Sequence, residues 1–335
     1  MSIFLAKIKK IVENQPAFIA LILLILVAIV IFPTLASVEV LMDMLRGYSM
    51  VGIVSMGMTF VILTGGIDLS VGSVAAVAGF SAAIFADSLW FMPILIPIAA
   101  GTLLGFINGL VITKFKAPPF IATLAMMMGA RGISLIMSGE KPLGLKGISY
   151  GFAQIGQGDT LGVPNLVWIF VFVTTICLIV SKWTRFGRSV YAVGGNEEAA
   201  KMMGFNPDHV KLMVYTISGF CAGLAGMMLT SRLASAQNTA GQGWELTAIA
   251  TVVIGGTLLA GGRGNFSGTI YGVLIYAVVE IVLGRFSLMV WWINILTGIL
   301  VLIVVISQNR NSAVNTNNKK TNKLRLWYRR NLNEK

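Results

Sequence analysis

Few ionisable side chains fall within the long apolar runs of this sequence: Arg131, Glu280, Glu245 near the edge of a run, and Asp68 at a turn between two runs. A charge in an apolar medium is expensive, so each marks either a partner or a function. Arg131 and Glu280 have opposite signs and could pair, which would make both structural. Asp68 fits an N-terminal cap for the helix that follows it, or alternatively a gating group. No two carboxylates are placed together for acid–base work. His209 is the only histidine and sits in a charged loop, and Cys177 and Cys221 lie inside apolar runs. The cysteines read as small core hydrophobes, not as a disulfide or a metal pair. No Gly-x-x-x-x-Gly-Lys-Ser/Thr loop is present, and GGRGN at Gly261–Asn265 lacks the spacing of a dinucleotide fingerprint. Neither an enzyme nor a bound cofactor is expected.

The elements that must position these residues follow from composition. Of 335 residues, 56% are hydrophobic and only 11% charged, with a mean hydropathy of +0.84. A soluble domain carries roughly 25% charged residues, and disorder needs low hydrophobicity, so both classes are excluded. An all-α integral membrane protein is expected. Ten spans are read at Ala17–Phe32, Gly47–Thr64, Gly72–Ala86, Pro93–Thr113, Pro119–Met137, Asn165–Ser181, Leu212–Ser231, Trp244–Ala260, Phe266–Leu283 and Met289–Ile306. The first is read as an anchor and not as a cleaved signal. With the N-terminus inside, nineteen of the 25 Lys and Arg collect on the cytoplasmic side and five outside. Both termini are then cytoplasmic. Residues 1–306 are expected to form the transmembrane domain, and 307–335 a basic, Asn-rich, disordered tail near lipid headgroups. That arrangement accounts for the net charge of +12 without nucleic acid.

Two segments resemble each other. Val61–Thr64 followed by GGIDLSVG (Gly65–Gly72) aligns, with a one-residue gap, with Val252–Ile254 followed by GGTLLAGG (Gly255–Gly262). A five-plus-five duplication is expected, as in many transporters. Freed backbone in a membrane must be satisfied by protein or water, so these turns are candidate gates: Gly65, Gly66, Asp68, Ser70, Gly255 and Gly256. Gly101, Gly105 and Gly109, and Gly219, Gly223 and Gly226, offer small faces for helix packing.

The charged loop at about 182–211 contains GGNEEAAKMMGF, which predicts a short helix. Asn196 would cap it, Glu197 and Glu198 suit its first turn, and Gly204 its end. Two readings remain open. Met202, Met203 and Phe205 fold back on the membrane domain, or they form a docking knob for a cytoplasmic partner.

Four ordered blocks complete the picture: Gly57–Ala76, Ile107–Met127, Thr184–Phe205 and Ser235–Gly264. They resemble the ribose-type permeases of ATP-binding-cassette importers, in the branched-chain amino acid/ribose permease family. The resemblance implies a fold similar to the cobalamin importer permease, in a bacterial inner membrane. It also implies a second permease copy, separate ATPase subunits that bind ATP, and an extracytoplasmic sugar-binding protein. Asn196, Glu197, Glu198, Ala199, Ala200 and Gly204 would lie in the coupling helix that seats in the ATPase. Glu280, Arg285 and the long tail depart from the usual pattern, which leaves the sugar open with ribose the first choice. The alternative is an ion-coupled secondary sugar carrier, which the docking loop and the scarcity of titratable membrane residues disfavour; a receptor without transport is a third reading.

Overall fold

A computed structural model describes residues 16–145 and 150–286, with Trp292, Ile295, Gly298, Ile299, Leu302 and Ile306 beyond them. The tenth expected span lies largely outside the described residues, and the basic tail and the N-terminal lysines lie wholly outside them. The helices are α1 (Pro16–Ile31), α2 (Val38–Leu63), α3 (Val71–Ile84), α4 (Met92–Lys114), α5 (Pro119–Ser138) and α6 (Tyr150–Gln157). They continue with α7 (Asn165–Trp183), α8 (Arg185–Gly195), α9 (Glu197–Met202), α10 (Pro207–Leu233), α11 (Trp244–Ile254) and α12 (Phe266–Arg285). Two short antiparallel ladders clasp the connections. One joins β1 (Leu143–Gly144) to β4 (Ser235–Ala236), the other β2 (Asp159–Thr160) to β3 (Val163–Pro164). The helices up to Leu283 belong to one compact unit, and Gly284 onward belongs to a second.

Among the described residues, α2, α4, α5, α7, α10 and α12 are long and apolar enough to cross a membrane. The helices α1, α3 and α11 are apolar but shorter. Nine of the ten expected runs therefore coincide with helices, with two informative differences. Helix α2 begins at Val38 and not Gly47, because the Ser37 side chain accepts from the Val40 amide and Glu39 suits the first turn. Helix α11 stops at Ile254 and does not reach Ala260, because Gly256 turns left-handed (φ 92°). Helices α6 and α8 were not expected.

Helix α2 runs through the centre, buried continuously from Ser49 to Leu63. Hydroxyl pairs tie it to its neighbours: Ser55 lies 2.8 Å from Thr251 of α11, and Thr59 lies 2.9 Å from Thr269 of α12. Helices α4 and α10 pack almost backbone to backbone. A Cβ on Gly101 would sit 2.6 Å from Gly223 Cα, and one on Gly105 would sit 2.8 Å from Gly219 Cα. Such separations admit no side chain, so the glycine spacing is a packing device. Gly226 instead meets Ala75 of α3.

Candidate functional site

The two glycine turns share one backbone design. After α2, the Gly65 amide donates to Ile62 O (2.9 Å) and the Gly66 amide to Val61 O (3.1 Å). After α11, the Gly256 amide donates to Val253 O (2.9 Å) and the Thr257 amide to Val252 O (3.2 Å). Both are Schellman ends, in which the residue after the cap must be left-handed. Gly65 (φ 78°) and Gly256 (φ 92°) fill that role. The turns thus correspond at Gly65 and Gly256, one place later than the alignment of the glycine doublets. Gly66 faces the Tyr215 ring, Gly255 packs on Gly268 of α12, and the space beside Gly256 is open.

The turns meet each other. The Gly262 amide donates to Leu63 O (2.9 Å), and a Cβ on Gly261 would lie 2.8 Å from the Gly65 nitrogen. Helix α8 closes the junction from the loop side. A Cβ on Gly194 would overlap Leu63 O and lie 2.7 Å from the Gly262 nitrogen. The Tyr191 hydroxyl donates to Gly264 O (3.2 Å), and burial raises the Tyr191 pKa, so the phenol remains a neutral donor. Phe60 of α2 lies between Phe186 of α8 and Phe266 of α12, with ring centroids 5.9 and 4.5 Å away.

On the other side of the first turn is a buried polar hub. Asp68 Oδ1 accepts from the Ser70 amide (3.0 Å) and hydroxyl (2.6 Å), and Oδ2 accepts from the Ser218 hydroxyl of α10 (2.7 Å). Asn108 of α4 donates to Ser70 Oγ (2.9 Å). The Thr123 and Tyr215 hydroxyls donate to Ile67 O at 3.3 and 3.4 Å. Asp68 therefore does not cap α3 as expected. The N-cap position belongs to Ser70, whose side chain makes no cap bond. Asp68 instead links the turn to α10 directly and to α4 through Ser70. Asn108, Ser218, Thr123 and Tyr215 went unrecognised in the sequence, although Asn108 and Ser218 are polar residues inside apolar runs.

Arg131 and Glu280, whose opposite signs left a pairing open, form no ion pair with each other. Arg131 Nη1 donates to the carbonyls of Asn238 (3.1 Å) and Ala240 (3.0 Å). Cys177 and Cys221 are free and buried, as expected.

The expected short helix is present as α9. The Asn196 side chain accepts from the Ala199 amide (2.9 Å), and Gly204 closes the segment at φ 85°. Glu197 pairs with Lys211 (2.6 Å), and Lys116 pairs with Asp208 (2.7 Å). Glu198 and Ala199 are exposed, and Ala200 is buried. The two open readings of the loop divide between its residues. Phe205 packs on the main core, whereas Met202 and Met203 are 88% and 65% exposed. A cavity of about 790 Å³ in this loop is lined by Lys116, Glu197, Glu198, Lys201, Phe205 and Asp208 among others.

Six described helices long and apolar enough to cross a membrane, joined by buried turns, define a polytopic membrane protein. Residues 40–305 match the family described as the permease component of branched-chain amino acid transport systems, and the chain belongs to that family. It is 41% identical over 300 residues to the ribose import permease protein RbsC of Haemophilus influenzae, covering 88% of this chain and 93% of that protein. It is 40% identical to RbsC of Bacillus subtilis, covering 90% and 95%. A fructose import permease protein, FruG of Bifidobacterium longum, is 31% identical, covering 91% and 93%. No solved structure matches.

Proposed function

We propose that the chain is the membrane-spanning subunit of an ATP-driven importer for a ribose-like monosaccharide in a bacterial inner membrane. The names of its relatives support the sugar class. In this reading ATP is bound by separate ATPase subunits, the sugar is delivered by an extracytoplasmic binding protein, and a second permease copy completes the path. In the same reading the chain itself needs no nucleotide, metal or cofactor. Ten spans over 1–306 with both termini cytoplasmic, followed by a cytoplasmic tail at 307–335, agree with the distribution of basic residues. The matching hydrogen-bond pattern of the two Schellman turns, 191 residues apart by their left-handed glycines, supports the five-plus-five duplication.

One observation carries the mechanism: the junction of Leu63, Gly194 and Gly262. Helix α9 is the coupling helix, with Glu198, Ala199, Met202 and Met203 presented to the ATPase. Helix α8 directly precedes it and is seated against both glycine turns. Displacement of α9 by ATPase closure thus reaches the ends of α2 and α11 through packed backbone, which has no soft side chain to absorb it. The importer alternates because the ATPase grips α9 differently in its two states. Purified chain, its ATPase and its binding protein, reconstituted in liposomes, test this. Sugar uptake that requires ATP and all three components is expected. Uptake by the chain alone on a proton or sodium gradient would overturn it and establish the secondary carrier.

A further inference from the structure

Helices α3 and α11 have 14 and 11 residues, about 21 and 16 Å of rise against a hydrocarbon core of roughly 30 Å. Short or interrupted helices are where membrane transporters often place ligands. The connection 234–243 runs between these two. Ala236 packs with Phe80 and Ala83 near the far end of α3, while Gly241 lies against Gly72 at its start. The strap thus descends eight residues of α3, about 12 Å, without helix. Non-helical backbone at such depth is tolerated where it is buried in protein or lines an aqueous cavity.

The strap is polar along this descent: Gln237, Asn238, Thr239 and Gln242. Arg131 of α5 fixes it through the Asn238 and Ala240 carbonyls. Glu245, in the first turn of α11, interacts with Arg131 electrostatically, yet the two do not approach within the 4.0 Å of an ion pair. Thr239 and Gln242 are exposed. The Asn238 Oδ1 acceptor is buried with no protein donor among the described residues.

We propose that the strap, with Arg131 and Glu245, is a binding station for a neutral polyhydroxylated ligand on the path through the permease. A hydroxyl can accept from a guanidinium and donate to a carboxylate at once, so adjacent hydroxyls bridge two opposite charges held apart. Side-chain amides and a threonine offer donors and acceptors in the same small region. One cation facing one anion gives no preference for a net charge. A zwitterionic amino acid would also meet both charges but would leave the four neutral polar groups without hydroxyl partners. This inference rests on the importer reading and names where the sugar sits.

The test uses the assembled complex in proteoliposomes, with uptake of labelled D-ribose and D-fructose and ATP hydrolysis followed in parallel. Gln242→Ala alters an exposed side chain, and Glu245→Gln keeps the shape of a partly buried one. Both variants are expected to assemble and hydrolyse ATP, to lose about tenfold or more in ribose uptake, and to change the ribose-to-fructose ratio. Wild-type rates and ratio in both variants, or equal loss for both sugars, would overturn the station while leaving the importer intact. Uptake of leucine in preference to ribose by the unaltered complex would overturn the polyol class. No uptake of any sugar by that complex would defeat the importer reading first.

Discussion

Gly194 and Gly195 are adjacent at the end of α8, yet their surroundings are opposite, which makes them a built-in controlled pair. A Cβ at 194 would overlap the Leu63 carbonyl oxygen and lie 2.7 Å from the Gly262 nitrogen, the two atoms that share the 2.9 Å hydrogen bond closing the junction. A Cβ at 195 meets nothing within 4 Å. Overpacking a close-packed site costs about 1–3 kcal/mol, and replacing glycine by alanine in a helix returns up to about 1 kcal/mol. Gly195→Ala should therefore be neutral or slightly stabilising, and because the helix gain is common to both, the two variants should differ by roughly 1–3 kcal/mol. Any shift that relieves the clash must separate α8 from α2 or from the α11–α12 turn. Thermal unfolding in detergent reads the stability difference, and ATP-driven uptake in proteoliposomes reads the coupling. The expected result is a less stable Gly194→Ala that still binds the ATPase but imports poorly, with Gly195→Ala like the unaltered chain. Equal stability and equal uptake in the two variants would refute the claim that this junction is tight and transmits.

Three further expectations follow from other parts of the fold. Asp68→Asn keeps shape but replaces one accepting oxygen by a donor, so a bond from Ser70 or Ser218 is lost; a cost of about 1–3 kcal/mol and slower uptake are expected, and unchanged melting and uptake would show the hub to be dispensable. Glu198→Arg should abolish ATPase co-purification without affecting membrane insertion, because Glu198 is exposed whereas the fold of the loop uses the Glu197–Lys211 pair; retention of the ATPase would count against α9 as the coupling helix. The proposed topology puts Lys201 in the cytoplasm, so Lys201→Cys should resist an impermeant maleimide in intact cells and react in inverted vesicles, read against the buried Cys177 and Cys221. Labelling from outside would reverse the topology.

What was legible in the sequence was whatever hydropathy and local capping decide. The apolar runs located nine helices, and Asn196 with Gly204 located α9 at its capped and left-handed ends. Hydropathy could not see Val38–Arg46 as helix, since Glu39, Asp43 and Arg46 hide it, and the start of α2 depends on the Ser37 cap. Helix α8 was missed because Arg185, Arg188 and three glycines read as loop. Its order comes from Phe186, Val190, Val193 and Gly194 packing on distant segments. Long-range partners were the least legible. Asp68 suits a cap by local rule, but Ser218, 150 residues away, claims it; Arg131 suits Glu280 by sign, but nearer carbonyls satisfy it.

The turn after α2 is therefore held from two directions by interactions of different character. On the side of α8 it is held by backbone contact at Gly194, Gly261 and Gly262, which resists compression and offers little resistance to separation beyond one hydrogen bond. On the side of α4 and α10 it is held by directional bonds from Ser70, Ser218 and Asn108, which resist separation. In the proposed coupling, a push arriving through α8 would meet stiff backbone and reach the turn, which could yield only by straining bonds in the hub, each worth on the order of 1 kcal/mol net, or more where the carboxylate accepts. In that coupling these bonds are what would return the turn when the push ends. The two sides consequently assign different phenotypes: a lesion at Gly194 interrupts delivery, while one at Asp68 weakens the return, and the second should slow transport with the ATPase still responding to the binding protein.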